Sequence, residues 1–193
     1  MTSLDAWLAD AEALLARTRA AGLDAAMAGA VRATAAALSA GLPLLVCGNG
    51  GSAADAQHIV AELVGRFLRE RRALNAICLA ANPAMLTAWS NDFGYATVFA
   101  RQVEAHGRAG GVVMGLSTSG NSENMVLALA AARRLGMATI GLTGAGGGAM
   151  AAQCDHLLAV PSRHTPTIQQ VHLVLYHCFC DGVERAVAGA CAT

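Results

Sequence analysis

Aromatic side chains make up only 4% of this chain, so its 55% apolar content rests on aliphatic residues, much of it alanine. Alanine-rich helices approach one another closely, which suits helix–helix packing within or between chains. A surplus charge of either sign is also lacking, since thirteen basic residues cancel thirteen acidic ones. No net field therefore draws the protein to nucleic acid or to anionic lipid. No apolar run is long enough to span a bilayer. The start, Met1-Thr2-Ser3-Leu4-Asp5, has no basic n-region, and a cytoplasmic protein without a signal peptide is expected. Six cysteines (Cys47, Cys78, Cys154, Cys178, Cys180 and Cys191) form no CxxC pair and read as buried, reduced thiols. With no low-complexity linker and no break in composition, residues 1–193 read as one domain. Residues 1–40 supply N-terminal helices, and residues 41–193 an α/β core.

What is present alternates. Leu4, Trp7, Leu8, Ala11, Leu14 and Leu15 recur at helical spacing up to about Gly22, and an alanine-rich helix follows from about Asp24 to Ser39. The apolar run 42–46 then predicts a buried strand turning into a helix, with Ser52 as its N-cap. Ala53, Ala56, Val60, Leu63, Val64 and Phe67 form that helix's apolar stripe. Further strands are predicted at 76–79, 111–116, 138–142 and 156–160. Helices are predicted at 84–89, at 95–106, from 122 to Gly136, and from Pro166 or Thr167 to about Val187. Apolar strands alternating with helices imply a parallel sheet covered on both faces.

In such a sheet ligands sit beyond the carboxyl ends of the strands, and two loops there have suitable chemistry. Ser117-Thr118-Ser119-Gly120-Asn121-Ser122 offers hydroxyls, an amide and backbone N–H groups at a helix start, either an anion site or an ordinary capped turn. Gly48-Asn49-Gly50-Gly51-Ser52 lets backbone approach a ligand closely. It has no Walker A ending, and Ala53 breaks a G-x-G-x-x-G fingerprint, so nucleotide binding is disfavoured. Gly144-Ala145-Gly146-Gly147-Gly148 has no polar side chain and reads as a flexible connection.

His58 and Glu62 share a helix face with Asp55 and Arg66. That stripe fits a solvated face as well as a site. His177 lies in an otherwise apolar stretch, where a histidine is more often a core residue. Together His58, Glu62 and His177 nonetheless offer the N, O and N donors that zinc accepts, although spacing alone does not show that they meet.

Taken together, these segments resemble the phosphoheptose isomerases of the sugar-isomerase (SIS) superfamily. The resemblance rests on residues 48–58, Glu62-Leu63-Val64-Gly65-Arg66-Phe67, Asn91-Asp92-Phe93-Gly94-Tyr95, residues 117–122 and Ile168-Gln169-Gln170-Val171-His172. It implies a three-layer α/β/α fold with a five-stranded parallel, flavodoxin-like sheet, plus N-terminal helices that help build a tetramer. It implies that Ser117, Thr118, Ser119 and Ser122 bind a substrate phosphate, and that Asn49, Gly50, Gly51, Ser52, Asn91 and Asp92 line the sugar pocket. It further implies one zinc ion per subunit held by His58, Glu62, Gln169 and His177, with Glu62 and His177 as the acid/base pair and Gln169 also near the substrate. The implied activity interconverts sedoheptulose 7-phosphate and D-glycero-D-manno-heptose 7-phosphate through an enediolate. Trp89-Ser90 departs from the family's smaller pair, and Gln170 stands where an acidic residue is common.

Gln169 and His177 are eight positions apart, about 12 Å along a regular helix and turned by about 80°. Either Gln169 precedes regular helix, or the site combines two subunits, which is the favoured reading. A non-catalytic SIS adaptor of the bacterial replication initiator is the alternative. The resemblance implies that such a paralogue lacks Glu62 and His177, which this chain has. A sugar-phosphate-sensing regulator would add a DNA-binding domain, for which 193 residues leave no room.

Overall fold

The computed structural model describes residues 3–190. Its elements are α1 (Leu4–Ala20), α2 (Asp24–Ser39), β1 (Leu44–Gly48), α3 (Gly51–Val64), β2 (Ala76–Cys78), α4 (Pro83–Phe93), α5 (Val98–His106), β3 (Val112–Ser117), α6 (Glu123–Arg134), β4 (Ala138–Thr143), β5 (His156–Ala159) and α7 (Thr165–Ala190). Short 3-10 stretches occupy Tyr95–Thr97 and Gly148–Gln153. All strand pairings are parallel, in the order β2-β1-β3-β4-β5. The expected five-stranded parallel sheet is borne out.

Strand alternation sorts the core into two layers. Leu44 and Val46 of β1 point to one face with Met114, Ile140 and Leu158, where α2, α3 and α7 cover them. Leu45 and Cys47 point to the other with Val113, where α5 and α6 pack. Ala30, Ala37 and Leu38 belong to the first of these clusters, so α2 is built into the main core. Small residues let it approach α7 closely: a Cβ added at Gly182 would lie 3.0 Å from Val31. The chain leaves β1 towards α3 on one face and β3 towards α6 on the other. That divergence opens a crevice between the carboxyl ends of two neighbouring strands.

Several boundaries differ from expectation. β1 starts at Leu44 rather than residue 42, because Pro43 has no N–H to donate and enters the sheet only through its carbonyl, which accepts from Val112. Ser52 is not the N-cap of α3. Gly50 takes that place at φ 54°, a left-handed conformation that glycine reaches without strain, and Ser52 is buried within the first turn. Phe67 falls beyond the end of α3, on the loop that follows it. The cysteines are free but not uniformly buried: Cys47 and Cys180 are, Cys78 and Cys154 partly, and Cys178 is exposed. Cys191 lies outside the described residues. Burial pushes the thiols of Cys47, Cys154 and Cys180 up to about 12. Among the described residues, no helix is long and apolar enough to cross a membrane.

Candidate active site

The crevice holds a cavity of about 320 Å³ lined by Asn49, Gly50, Gly51, Ser52, Leu116, Ser117, Thr118, Ser119, Ser122, Thr165 and Gln169. It thus gathers both loops singled out from the sequence. Neither helix that starts there is capped by a side chain: α3 begins behind Gly50, and the hydroxyl of Ser122, at the N-cap of α6, makes no cap bond. That hydroxyl instead lies 2.9 Å from Ser117 Oγ, while Ser119 Oγ accepts from Asn121 N at 3.1 Å. Two uncapped helix N-termini and a ring of hydroxyls favour an anion over a merely capped turn. Thr118 Oγ1 meets Thr165 Oγ1 at 3.1 Å, which brings the first residue of α7 to the rim.

Asn49 is held hard. Its amide and that of Asn124 exchange hydrogen bonds of 3.0 and 2.9 Å, and Tyr95 Oη donates to Asn49 Oδ1 at 2.8 Å. Asn91 and Asp92 do not line the cavity within one chain. They stand exposed near the end of α4, where Asn91 Nδ2 donates to Asp92 Oδ1. α4 buries none of its residues, and Trp89 stacks on Phe93 along it.

His58, Glu62 and His177 come together, their ligand-capable atoms all within 4.8 Å of one another. His58 Nε2 lies 2.9 Å from Glu62 Oε1. His177 Nε2 is buried without any hydrogen-bond partner, and a buried polar atom left so is costly. A cation between these N, O and N donors would satisfy it, so the residues fit a zinc ion. On the far side of His58, Tyr176 Oη sits 2.9 Å from Nδ1 and 3.3 Å from Asp55 Oδ1. Burial raises the Asp55 carboxyl, an effect opposed by the Tyr176 hydrogen bond and the nearby His58. His172, by contrast, is a core residue. Burial lowers it to about 4, and its Nε2 meets the Thr143 carbonyl at 3.2 Å.

Gln169 does not join this cluster. α7 is regular helix from Thr165, so Gln169 cannot precede it, and the pair stands about 12 Å apart along one axis. Gln169 packs on the glycine loop instead, where a Cβ at Gly51 would come within 2.6 Å of its Nε2. Glycine at 51 is what admits it.

The loop after α3 forms the cluster's outer wall, because the Phe67 ring lies 5.3 Å from that of His177. A fully buried carboxylate holds this loop. Glu184 accepts from the backbone N–H groups of Phe67, Leu68 and Arg69 at 2.8–3.0 Å and pairs with Arg71 Nη2 at 3.0 Å. Arg71 also donates to the Glu62 and Gly65 carbonyls, closing the end of α3. Burial alone would raise the Glu184 carboxyl. The three N–H bonds and Arg71 outweigh it and hold the group below the usual carboxylate range.

Sequence reasoning missed Thr165, Asn124, Tyr95, Tyr176 and Glu184. Each acts through a partner 46 or more positions away, a relation that no local pattern displays.

A parallel sheet whose switch point carries a Ser/Thr loop and a glycine loop defines a sugar-phosphate-binding domain of the SIS class, and residues 6–144 match the family model described as SIS domain. The chain is 53% identical over 162 residues to a phosphoheptose isomerase from Rhodospirillum rubrum, covering 84% of this chain and 86% of the relative. A solved phosphoheptose isomerase structure from Francisella tularensis superposes with a TM-score of 0.90 at 38% identity, covering 96% of this chain and 100% of that one. One from Neisseria gonorrhoeae gives 0.88 at 39% identity, covering 94% and 97%. The chain belongs to the phosphoheptose isomerase family and is an enzyme of the isomerase class. The adaptor alternative is not favoured, since Glu62 and His177 are both present and adjacent.

Proposed function

We propose that the protein isomerises D-sedoheptulose 7-phosphate to D-glycero-D-manno-heptose 7-phosphate. The observation that carries this reading is the meeting of His58, Glu62 and His177, with a buried His177 nitrogen left unpartnered. The Ser117–Ser122 loop and the two uncapped helix starts hold the phosphate. Glu62 moves the proton between C1 and C2 through an enediolate, and His177 serves the oxygens. Zinc, when bound by His58, Glu62 and His177, supplies Lewis-acid polarisation of the carbonyl. Incubating zinc-loaded protein with sedoheptulose 7-phosphate and following aldose by NMR tests the assignment, and absence of aldose refutes it. Ser119→Ala should weaken substrate binding by roughly 1.5–3 kcal/mol, a ten- to hundredfold rise in KM. Equal KM for sedoheptulose with and without phosphate would overturn the phosphate assignment.

The active form is read as a homo-oligomer, a tetramer, with sites shared between chains. Leu4, Leu8 and Leu15 remain 75%, 59% and 42% exposed on α1, and Leu173 and Val174 are exposed on α7. Such apolar stretches suit burial against a second copy, with residues 1–40 contributing to the contact. Gln169, too far from its own chain's His177, completes the cluster of a neighbour, and the same arrangement can bring Asn91 and Asp92 to a partner's pocket. Reassembled mixtures of inactive Gln169→Ala and Glu62→Gln proteins should regain activity, since roughly a quarter of their sites draw both residues from unmutated copies. No recovery despite proven subunit exchange refutes the shared site. Free thiols raised by burial suit a cytoplasmic setting.

A further inference from the structure

We infer that Tyr176 and Asp55 form a hydrogen-bonded strut that sets the tautomer and orientation of His58 for metal binding, an inference that rests on the zinc reading above. Tyr176 is fully buried and precedes His177 on α7, yet its hydroxyl reaches across to α3, 2.9 Å from His58 Nδ1 and 3.3 Å from Asp55 Oδ1. Its ring packs edge-on against His58 and His177, at 5.3 and 5.1 Å between centroids. One hydroxyl carries one proton, so it donates to one neighbour and accepts from the other.

Two arrangements result. In the first, Tyr176 donates to His58 Nδ1, and His58 must carry its own proton on Nε2, where it bonds Glu62 Oε1 at 2.9 Å. That nitrogen then has no lone pair for a cation. In the second, His58 Nδ1–H donates to Tyr176 Oη, and Tyr176 donates to Asp55 Oδ1. The Nε2 lone pair now faces Glu62 and His177. Only this second arrangement admits an ion, and it requires an acceptor beyond the tyrosine. Asp55 is that acceptor, and its charge strengthens the bond it receives. Its other oxygen is buried without a partner, and Asp55 enters no ion pair among the described residues, so the carboxylate is not accounted for by a salt bridge. Histidine ligands usually donate their second N–H directly to a carboxylate or carbonyl; here a phenol stands between. Tyr176 and Asp55 are positioning residues, since neither reaches the metal.

The test is zinc affinity of the metal-free protein, measured by competition with a chromogenic chelator. Tyr176→Phe keeps the ring and removes the strut, and should weaken zinc binding about ten- to hundredfold. Asp55→Ala should weaken it in the same direction, and Asp55→Asn, which still accepts from the phenol, should restore most of the loss. In a His58→Gln background Tyr176→Phe should add nothing, because the imidazole it orients is gone. Wild-type affinity in both Tyr176→Phe and Asp55→Ala, or an equal loss from Tyr176→Phe with and without His58, overturns the strut. A lowered melting temperature with unchanged zinc affinity does so too, by showing a merely structural hydroxyl. If wild-type protein itself takes up no zinc, the metal reading falls and the strut with it. If wild type binds and the variants match it, the strut alone falls.

Discussion

Glu62→Gln is expected to reduce turnover by at least about a hundredfold while leaving the fold intact. General acid–base groups contribute about 10²–10⁴ in rate, and glutamine keeps the shape and acceptor oxygen of the side chain without its basicity. The residue is only partly buried, so no desolvated charge is left behind by the change. His177→Gln should cost a comparable factor. The two histidines and Glu62 occupy one cluster in one chain, so a mixture of Glu62→Gln and His177→Gln proteins should stay inactive. That outcome contrasts with the Gln169 mixture, and the pair of experiments locates the seam between subunits. Near-normal turnover in either single variant removes that residue from the mechanism.

Glu184→Ala should be strongly destabilising. It strips the partner from Arg71, whose side chain is only 4% exposed, and orphans the N–H groups of Phe67, Leu68 and Arg69. Breaking a buried pair of this kind costs about 3–5 kcal/mol, a large share of the roughly 5–15 kcal/mol that holds a domain folded. A fall of roughly 6–20 °C in melting temperature should follow, read at fixed protein concentration. The carboxyl is held below its ordinary range, so its stabilisation is full above the unfolded value of about 4.3 and is lost as pH falls further. Wild type should therefore lose stability in acid more steeply than Glu184→Gln. A variant melting within a degree of wild type would show that the loop is held by other contacts. Because the clasped loop carries Phe67 against His177, any folded Glu184→Ala protein should also turn over slowly.

Much of this was legible in the sequence, for identifiable reasons. Strands buried on both faces announce themselves as apolar runs, so all five were found, though Pro43 shifted the start of the first. The Ser117–Ser122 and Gly48–Ser52 loops were legible because hydroxyl and glycine chemistry is local. The polar stripe of Asp55, His58 and Glu62 was visible, but a solvated face and a site look alike until α7 is laid across it. What decides between them is His177, which α7 brings beside His58 and Glu62 from the far end of the chain. Ser52 reads as a cap because serine favours caps. The tight Gly50 turn overrode that preference and moved the helix start forward.

The reciprocal amide pair of Asn49 and Asn124, with Tyr95 bearing on it from a third side, bolts the end of β1 to the start of α6. On the proposed assignment, a phosphate bound by the Ser117–Ser122 loop would meet hydroxyls and N–H groups already in position, at little cost in loop ordering. A rigid grip on the phosphate treats one sugar phosphate much like another. On the same assignment, choice among them would fall to the other end of the sugar, where the carbonyl must reach the His58, Glu62 and His177 cluster.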